Sequence, residues 1–468
     1  MKTLGIITEL NPLHNGHVHL MQTAKKQTGA DFVVLIMSGD YVQRGIPSII
    51  DKSERTCMAL QSGADLVLEL PVYYSLASAE FFARGAVSIL NRLGIIDTLA
   101  FGSESGNLPL LTEIAALLNE EPAAFKNILS DQMKKGFSFP AARQTAILSS
   151  LSMSADQGQM EFSDTVNQDQ ALNRRTDLIS PNNILGIEYL CALQEAHSSI
   201  QPFTIKRIGA GYHDLIPSSS PEFASAAVQN ILQNSDSTSI PSASASGIRR
   251  LLLEQELETS TVGTAHEIYT PEQLQHILYT SMPQGCADLL LAWPQKAPAG
   301  YLTANHFSNL LQYKLILEKE NGFTQYADIH GDLSDKIIRN LPDFHSFDTF
   351  AALLKSKDLT YTRIQRSLMH IILDITQEHL YEYAGGAFGS ITGYARILGF
   401  RKDAAPLLHK LRRNADLPLI SKLADAKKNL DPLSLRLLNE DIRSSEVYDM
   451  VCGRTGSSEY RKELIIIS

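Results

Sequence analysis

The chain has little of what marks several large classes of protein. Only four cysteines stand among its 468 residues, at Cys57, Cys191, Cys286 and Cys452, and no two form a Cys-x-x-Cys pair. Such spacing indicates neither a disulfide framework nor a structural zinc cluster, and it suits a reducing compartment. The single tryptophan, Trp293, reads as a core or interdomain packing residue rather than a platform for stacking a base. No apolar run approaches the roughly 18 residues that a membrane span requires, since the run at 464–467 is far too short. The opening MKTLGIITELNP carries one lysine, and Glu9, Asn11 and Pro12 break its apolar stretch before a secretion signal can form. A cytoplasmic protein with no membrane segment is therefore expected. Positive charge is not in excess either. With 41 Lys and Arg against 51 Asp and Glu, the net charge of −10 disfavours a general nucleic-acid coat, though it says nothing of local distribution.

What remains is globular in character, 44% hydrophobic and 20% charged with a mean hydropathy of −0.08. At roughly 100 to 200 residues per domain, the length suits two or three domains, each able to bury a core. The first hundred residues alternate strand-like runs at 3–8, 31–37, 65–70 and 97–101 with helical patterns at 16–28, 52–62 and 78–92. Runs such as DFVVLIM are apolar on both faces, as strands of a parallel sheet covered by helices are. The expected class is α/β, a doubly wound parallel sheet. Helical patterns fill 108–150, a polar stretch at 152–175 reads as a loop or insertion, and a helix at 183–196 precedes a strand at 203–208. A Ser/Pro-rich passage at 217–246 follows. Beyond residue 256 no strand pattern is convincing, and apolar residues recur at helical spacing, as in TRIQRSLMHIILDITQ. The expected division is an α/β domain over residues 1–255 and a mainly helical domain over 256–468.

Chemistry is concentrated in Asn11-Pro12-Leu13-His14-Asn15-Gly16-His17, directly after the first strand and at the mouth of the first helix. In an open parallel sheet ligands sit beyond the carboxyl ends of the strands, where a helix N-terminus offers free N–H groups to a phosphate. Gly16 permits a close backbone approach, and His14 and His17, three apart, can face one anion and donate to it as charge grows. His19 is two positions further on and by spacing points elsewhere. Other candidates follow later strands or begin later helices. They are the SGDYVQRG loop at 38–45 for the pocket wall, Lys52 and Arg55 as phosphate contacts, Gly102 in FGSE, and Ser246 and Arg249 in SASGIRR as a Ser-capped helix start carrying an arginine.

His-x-Gly-His in this setting resembles the signature of the HIGH-type nucleotidyltransferase superfamily. Taken in order, NPLHNGH, MSGDYVQRGIPSIIDKSER, ALQSGADLVLELP, FARGAVSIL, FGSE, SPNNILGIEYL and SASGIRR resemble the bacterial tRNA(Met) cytidine acetate ligase family, with weaker similarity in YTRIQRSLMHIIL and YARILGF. The resemblance implies a Rossmann-type catalytic domain that activates acetate with ATP as acetyl-adenylate and passes the acetyl group to the wobble cytidine of elongator tRNA(Met), giving N4-acetylcytidine without acetyl-CoA. It places ATP contacts on Ile7, Thr8, Glu9, Leu10, Asn11, Pro12, Leu13, His14, Asn15, Gly16, His17, Val18, His19 and Leu20, and on Gly102, Asn182 and Arg207. His14, His17 and Lys52 are the catalytic candidates. Magnesium is expected with ATP, carried mainly by the nucleotide, and no metal-ligand cluster is visible in the chain. Gly247 stands where the family is expected to have a residue with a side chain.

Transfer to tRNA requires local positive charge. From Arg396 to Lys428 nine Lys or Arg face only Asp403, Asp416 and Asp425, and Arg363 and Arg366 add to this. Arg363, Arg366, Arg401, Lys402, Lys410, Arg412 and Arg413 are the candidate tRNA contacts. Two other readings are open at this level, a small-molecule adenylyltransferase and a non-catalytic RNA-binding factor with a disused nucleotide pocket. Oligomeric state is not legible.

Overall fold

The structure is a computed structural model. It describes residues 1–156, 180–207, 244–260, 269–356, 359–385, 391, 393–454, 456 and 458–468. The polar stretch at 152–175 and the Ser/Pro-rich passage at 217–246 lie mostly outside the described residues.

The chain opens with β1 (Thr3–Thr8), α1 (Asn15–Thr28) and β2 (Phe32–Ser38). A small hairpin of β3 (Tyr41–Val42) and β4 (Ile46–Pro47) leads into α2 (Lys52–Gln61), β5 (Leu66–Leu70), α3 (Val72–Ser75), α4 (Ala79–Arg92) and β6 (Thr98–Ser103). Helices α5 (Leu108–Glu120), α6 (Ala123–Lys134), α7 (Phe139–Asp156) and α8 (Pro181–Glu195) precede β7 (Gln201–Lys206). The central strands run β5-β2-β1-β6-β7, all parallel. β1 is buried along its whole length, and Val33 to Met37 of β2 are no more than 1% exposed, as the two-sided apolar runs require. Successive strands step outward from β1 to β5, and the chain then returns to place β6 on the other side of β1. That reversal opens a crevice at the carboxyl end of β1, where α1 begins.

The second half continues through α9 (Ala245–Ser260), α10 (Pro271–Ser281), α11 (Gln284–Lys296), α12 (Ser308–Glu318), α13 (Gly331–Asn340), α14 (Phe347–Leu353), α15 (Tyr361–Leu373) and α16 (Gln377–Tyr383). It then forms β8 (Ala395–Arg401), α17 (Ala405–Asn414), β9 (Leu419–Ile420), α18 (Ala426–Asn429), α19 (Pro432–Val451) and β10 (Ile465–Ile467). The expectation of no strand beyond residue 256 is corrected. β8 pairs antiparallel with β5, and β9 and β10 pair parallel with β8, so the far half of the chain completes the sheet of the near half. These strands escape a pattern reading because two have three residues or fewer and β8 carries arginines at 396 and 401. Trp293 is fully buried, donates its indole N–H to the Gly300 carbonyl (2.9 Å) and faces the Arg454 guanidinium. That fits a packing role.

An ionic cluster joins the two halves. Lys52 is 1% exposed, with its Nζ 2.7 Å from Glu69 Oε1, 3.0 Å from Glu459 Oε2 and 3.7 Å from Asp40 Oδ2, and it donates to Ser445 Oγ at 2.7 Å. Arg396 of β8 bridges Glu69 and Glu459 at 2.8 and 2.6 Å. Burial and Arg396 push the Lys52 ammonium down, but Glu459, Glu69 and Asp40 together hold it above the ordinary lysine range. Lys52 is thus a structural cation rather than a phosphate contact. Arg55 is corrected likewise. It is fully buried, and its guanidinium donates to the carbonyls of Ile50, Glu9, Ser38 and Gly39, fastening the chain ends of β1 and β2 to α2.

Removing one partner of a buried pair leaves the others uncompensated, typically at a cost of about 3–5 kcal/mol. Lys52→Met is therefore expected to lower the melting temperature by several degrees while the folded molecules bind ATP as before. An unchanged melting temperature with weakened ATP binding would return Lys52 to the phosphates.

Candidate active site

The loop after β1 turns the chain into α1, and His14 caps that helix. Its Nδ1 accepts from the Gly16 N–H (3.0 Å), while His17 Nδ1 accepts from the His14 N–H (3.2 Å). Both rings therefore spend Nδ1 on the backbone, which leaves the proton of each neutral imidazole on Nε2. The ring centroids lie 4.0 Å apart. Gly16 has a reason other than ligand approach, because a Cβ there would fall 2.7 Å from His14 Cε1. Only glycine lets the imidazole fold back over the helix end.

Neighbouring groups hold the loop in place. Asn11 Oδ1 accepts from the Ile49 N–H (2.8 Å), and Asn15 Nδ2 donates to the Thr280 carbonyl (2.8 Å). Arg249 donates to the Asn11 carbonyl (2.5 Å) and to Ser246 Oγ (3.2 Å), so this arginine braces the loop from behind. Ser244, rather than Ser246, receives the Gly247 N–H at the start of α9 (3.1 Å). A Cβ at Gly247 would meet nothing nearer than Ser244 Oγ at 3.5 Å, so the glycine there answers no steric demand.

These elements enclose a cavity of about 540 Å³ at the carboxyl edge of the sheet. Ile7, Thr8, Glu9, His14, Gly16, His17, His19 and Leu20 line it, together with Gly102, Asn182 and Arg207 from the ends of β6, α8 and β7. His19 faces the cavity, contrary to its spacing-based expectation. Leu10, Asn11, Pro12, Leu13, Asn15 and Val18 support the loop without lining the cavity, and Leu10 and Leu13 are core residues at 1% and 0% exposure. Gln43 and Arg44 enter from the β3–β4 tip, as the SGDYVQRG reading expects. Thr362 of α15 was not foreseen, since nothing in a helical repeat says which residue will meet a distant strand edge.

Glu104, the last residue of FGSE, lies beside the cavity wall. Its Oε1 accepts from Asn182 Nδ2 (2.6 Å), and its Oε2 accepts from Ser180 Oγ (2.7 Å) and the Asn183 N–H (3.0 Å). It thereby orients Asn182 at the cavity wall. Burial pushes the carboxyl up, but Asn182 and Ser180 outweigh it and hold Glu104 below the usual carboxylate range.

The candidate RNA contacts divide. Arg366 is buried and pairs with Asp328 (3.1 Å), and Arg363 donates to the Asp328 carbonyl. Arg401 pairs with Asp403, and Lys410 donates to the Met1 carbonyl. Arg401 N donates to the Asp65 carbonyl, at the start of β5. The segment bearing Arg401, Lys402, Lys410, Arg412 and Arg413 therefore lies at the amino edge of the parallel strands, a strand's length of about 20 Å from the cavity.

Burial lowers His14 to about 4, helped by the positive charges of Arg207 and Arg249. His17 is pushed well below its ordinary value by burial, then by His14 and Arg207. Both imidazoles are neutral at pH 7, each presenting an Nε2–H donor. Among the described residues Glu9 is the one carboxylate lining the cavity, and one of its oxygens accepts from the Gln43 N–H (2.7 Å). Among the described residues no group of three or more His, Cys, Asp or Glu could hold a metal ion, and no helix is long and apolar enough to cross a membrane.

A parallel sheet with paired histidines at the first helix start defines a nucleotidyltransferase of the HIGH type, and the HIGH Nucleotidyl Transferase family matches residues 1–242 and 229–463. Proteins named tRNA(Met) cytidine acetate ligase are similar over the full length. One from Acetivibrio thermocellus is 34% identical over 100% of both chains, and one from Halothermothrix orenii is 36% identical over 100% of this chain and 99% of its own. A crystal structure of Thermotoga maritima TmcAL bound with alpha-thio ATP superimposes with a TM-score of 0.81 at 26% identity, covering 100% of each chain. The chain belongs to the tRNA(Met) cytidine acetate ligase family.

Because His14 titrates near 4 in the folded chain and near 6.5 when unfolded, the unfolded chain takes up the proton first as pH falls. The contribution is fully present above pH 6.5 and is lost toward pH 4, about 3 kcal/mol for this one group. His14→Asn keeps a capping acceptor without the titration. Its melting temperature is expected to fall less than that of the wild type between pH 7 and pH 4.5, and parallel falls would remove His14 as the cause.

Proposed function

We propose that this protein activates acetate with ATP and transfers the acetyl group to the wobble cytidine of elongator tRNA(Met). An acetate oxygen attacks the α-phosphorus, the bond to the β-phosphate breaks, and pyrophosphate leaves with its electrons. The exocyclic amine of the cytidine then attacks the acyl carbon, AMP departs, the amine sheds a proton, and N4-acetylcytidine results. Oxide is a poor leaving group and AMP a good one, which is what the ATP provides. The observation that carries this reading is the pair of neutral imidazoles on the α1 N-terminus inside the cavity, with both Nε2–H donors available to phosphate oxygens. The names of the relatives and the nucleotide in the Thermotoga maritima crystal structure support it.

ATP contacts are proposed at the loop residues 7–20 and at Gly102, Asn182 and Arg207. One carboxylate, Glu9, suits a magnesium ion carried mainly by the nucleotide and only assisted by the protein. Such an ion supplies neutralisation of phosphate charge. The exposed Lys402, Arg412 and Arg413 suit the body of a tRNA rather than its wobble base, given their distance from the cavity. The helical segments beyond residue 256 are proposed to present the tRNA, in the cytoplasm.

Purified protein is expected to exchange labelled pyrophosphate into ATP only when acetate is present, and His17→Ala is expected to abolish the exchange. Mass spectrometry of nucleosides from tRNA(Met) incubated with protein, ATP and acetate is expected to show N4-acetylcytidine. A folded, ATP-binding protein with no acetate-dependent exchange would sink the proposal.

A further inference from the structure

The cavity straddles β1. On one side stand Gly102, Asn182 and Arg207, from β6, α8 and β7; on the other stand Gln43, Arg44 and Thr362. The second group is held firmly. The Gln43 N–H donates to Glu9 Oε1 (2.7 Å), and the Gly45 N–H closes the turn on the Val42 carbonyl (2.9 Å). Gly45 has φ +82°, and a Cβ there would lie 2.3 Å from the Arg366 backbone nitrogen. The tip therefore rests on the backbone of α15, and Thr362 stands one helical turn before Arg366 on that same helix. A hairpin from the first half and a helix from the second thus contribute Arg44 and Thr362 to the cavity lining, with the Thr362 hydroxyl 3.4 Å from Thr360 Oγ1.

Among the described residues, three Arg or Lys line the cavity, namely Arg44, Lys206 and Arg207; Lys206 ends β7 and Arg207 follows it. A carboxylate that must approach the α-phosphorus meets phosphate charge and the Glu9 carboxylate, and it needs a fixed cation with planar donors on the side away from the nucleotide contacts. Arg44 answers that description.

We infer that Arg44 and Thr362 form the subsite for the carboxylate of the small acid, an inference that rests on the activity proposed above. Two donors hold one carboxylate oxygen and orient the other toward the α-phosphorus. The attacking oxygen forms the new P–O bond, pyrophosphate takes the electrons of the bond that breaks, and no proton moves in this step. The subsite joins the two halves of the chain, so acid activation depends on their packing.

The test uses the full-length chain without tRNA, comparing Arg44→Ala, Arg44→Lys and Thr362→Val with the wild type. ATP affinity is measured directly in the absence of acetate, and the acetate dependence of pyrophosphate exchange is measured separately. Arg44→Ala is expected to raise the KM for acetate about tenfold or more with ATP affinity within about twofold, and Thr362→Val to raise it about threefold. Arg44→Lys, which keeps the charge without the planar fork, is expected to recover part of the loss. A matching loss of ATP affinity would place Arg44 on the triphosphate, and a defect confined to transfer onto tRNA would place it on the RNA; either overturns the inference. Wild-type protein that binds ATP but shows no acetate-dependent exchange would overturn the activity itself, a result distinct from normal wild-type exchange with unaltered variants, which overturns the subsite alone.

Discussion

The buried cluster around Lys52 is the constraint on which the rest of the molecule depends. Its members come from the end of β2, the start of α2, β5, β8 and the segment before β10, so charge pairing in the core closes a sheet whose strands are more than 300 residues apart in the chain. Desolvating these ions is costly, and hydrophobic residues of similar volume would match them in stability. What ion pairs add is specificity of pairing. Arg396 must meet Glu69 and Glu459 together, which sets β8 against β5 in one register. Above the cluster, Asp40 accepts the Lys52 N–H and the Tyr41 hydroxyl donates to the Ser444 carbonyl, so the hairpin that reaches the cavity is seated on the same foundation.

The site itself is built on backbone geometry more than on side-chain reach. His14 and His17 give their Nδ1 atoms to the helix start, and in doing so they fix their tautomer and aim. Their low proton affinity follows from burial beside Arg207 and Arg249, so they act as neutral donors and not as charges. This division suits a reaction at phosphorus. The donors are preorganised and no covalent nucleophile is required, so positioning supplies the catalysis.

Much of this was legible beforehand where the physics is local. The strands at 3–8 and 31–37 announce themselves because both faces are apolar, and the helix start, expected at Gly16 and found at Asn15, follows from residues that cap and turn the backbone. Lys52 and Arg55 misled because a cation at a helix start after a strand loop looks the same whether it faces phosphate or a buried carboxylate. The partner that decides the matter, Glu459, lies over 400 residues away. β8 and β10 were missed for a related reason, since a short edge strand draws its identity from the strand it pairs with.

The sequence alone therefore determined the order of the central strands' elements and the histidine-bearing loop, because each rests on spacing within a few residues, and it carried the resemblance to the family through a series of short motifs taken in order. Only the tertiary structure decided that Lys52 is buried, that Glu104 orients Asn182, that the basic segment near α17 lies at the far edge of the sheet, and that Arg44 and Thr362 both line the cavity. Each of those depends on which distant carboxylate, amide or backbone comes to rest beside a given side chain, and burial then converts the same residue type from a solvated charge into a fixed part of the fold.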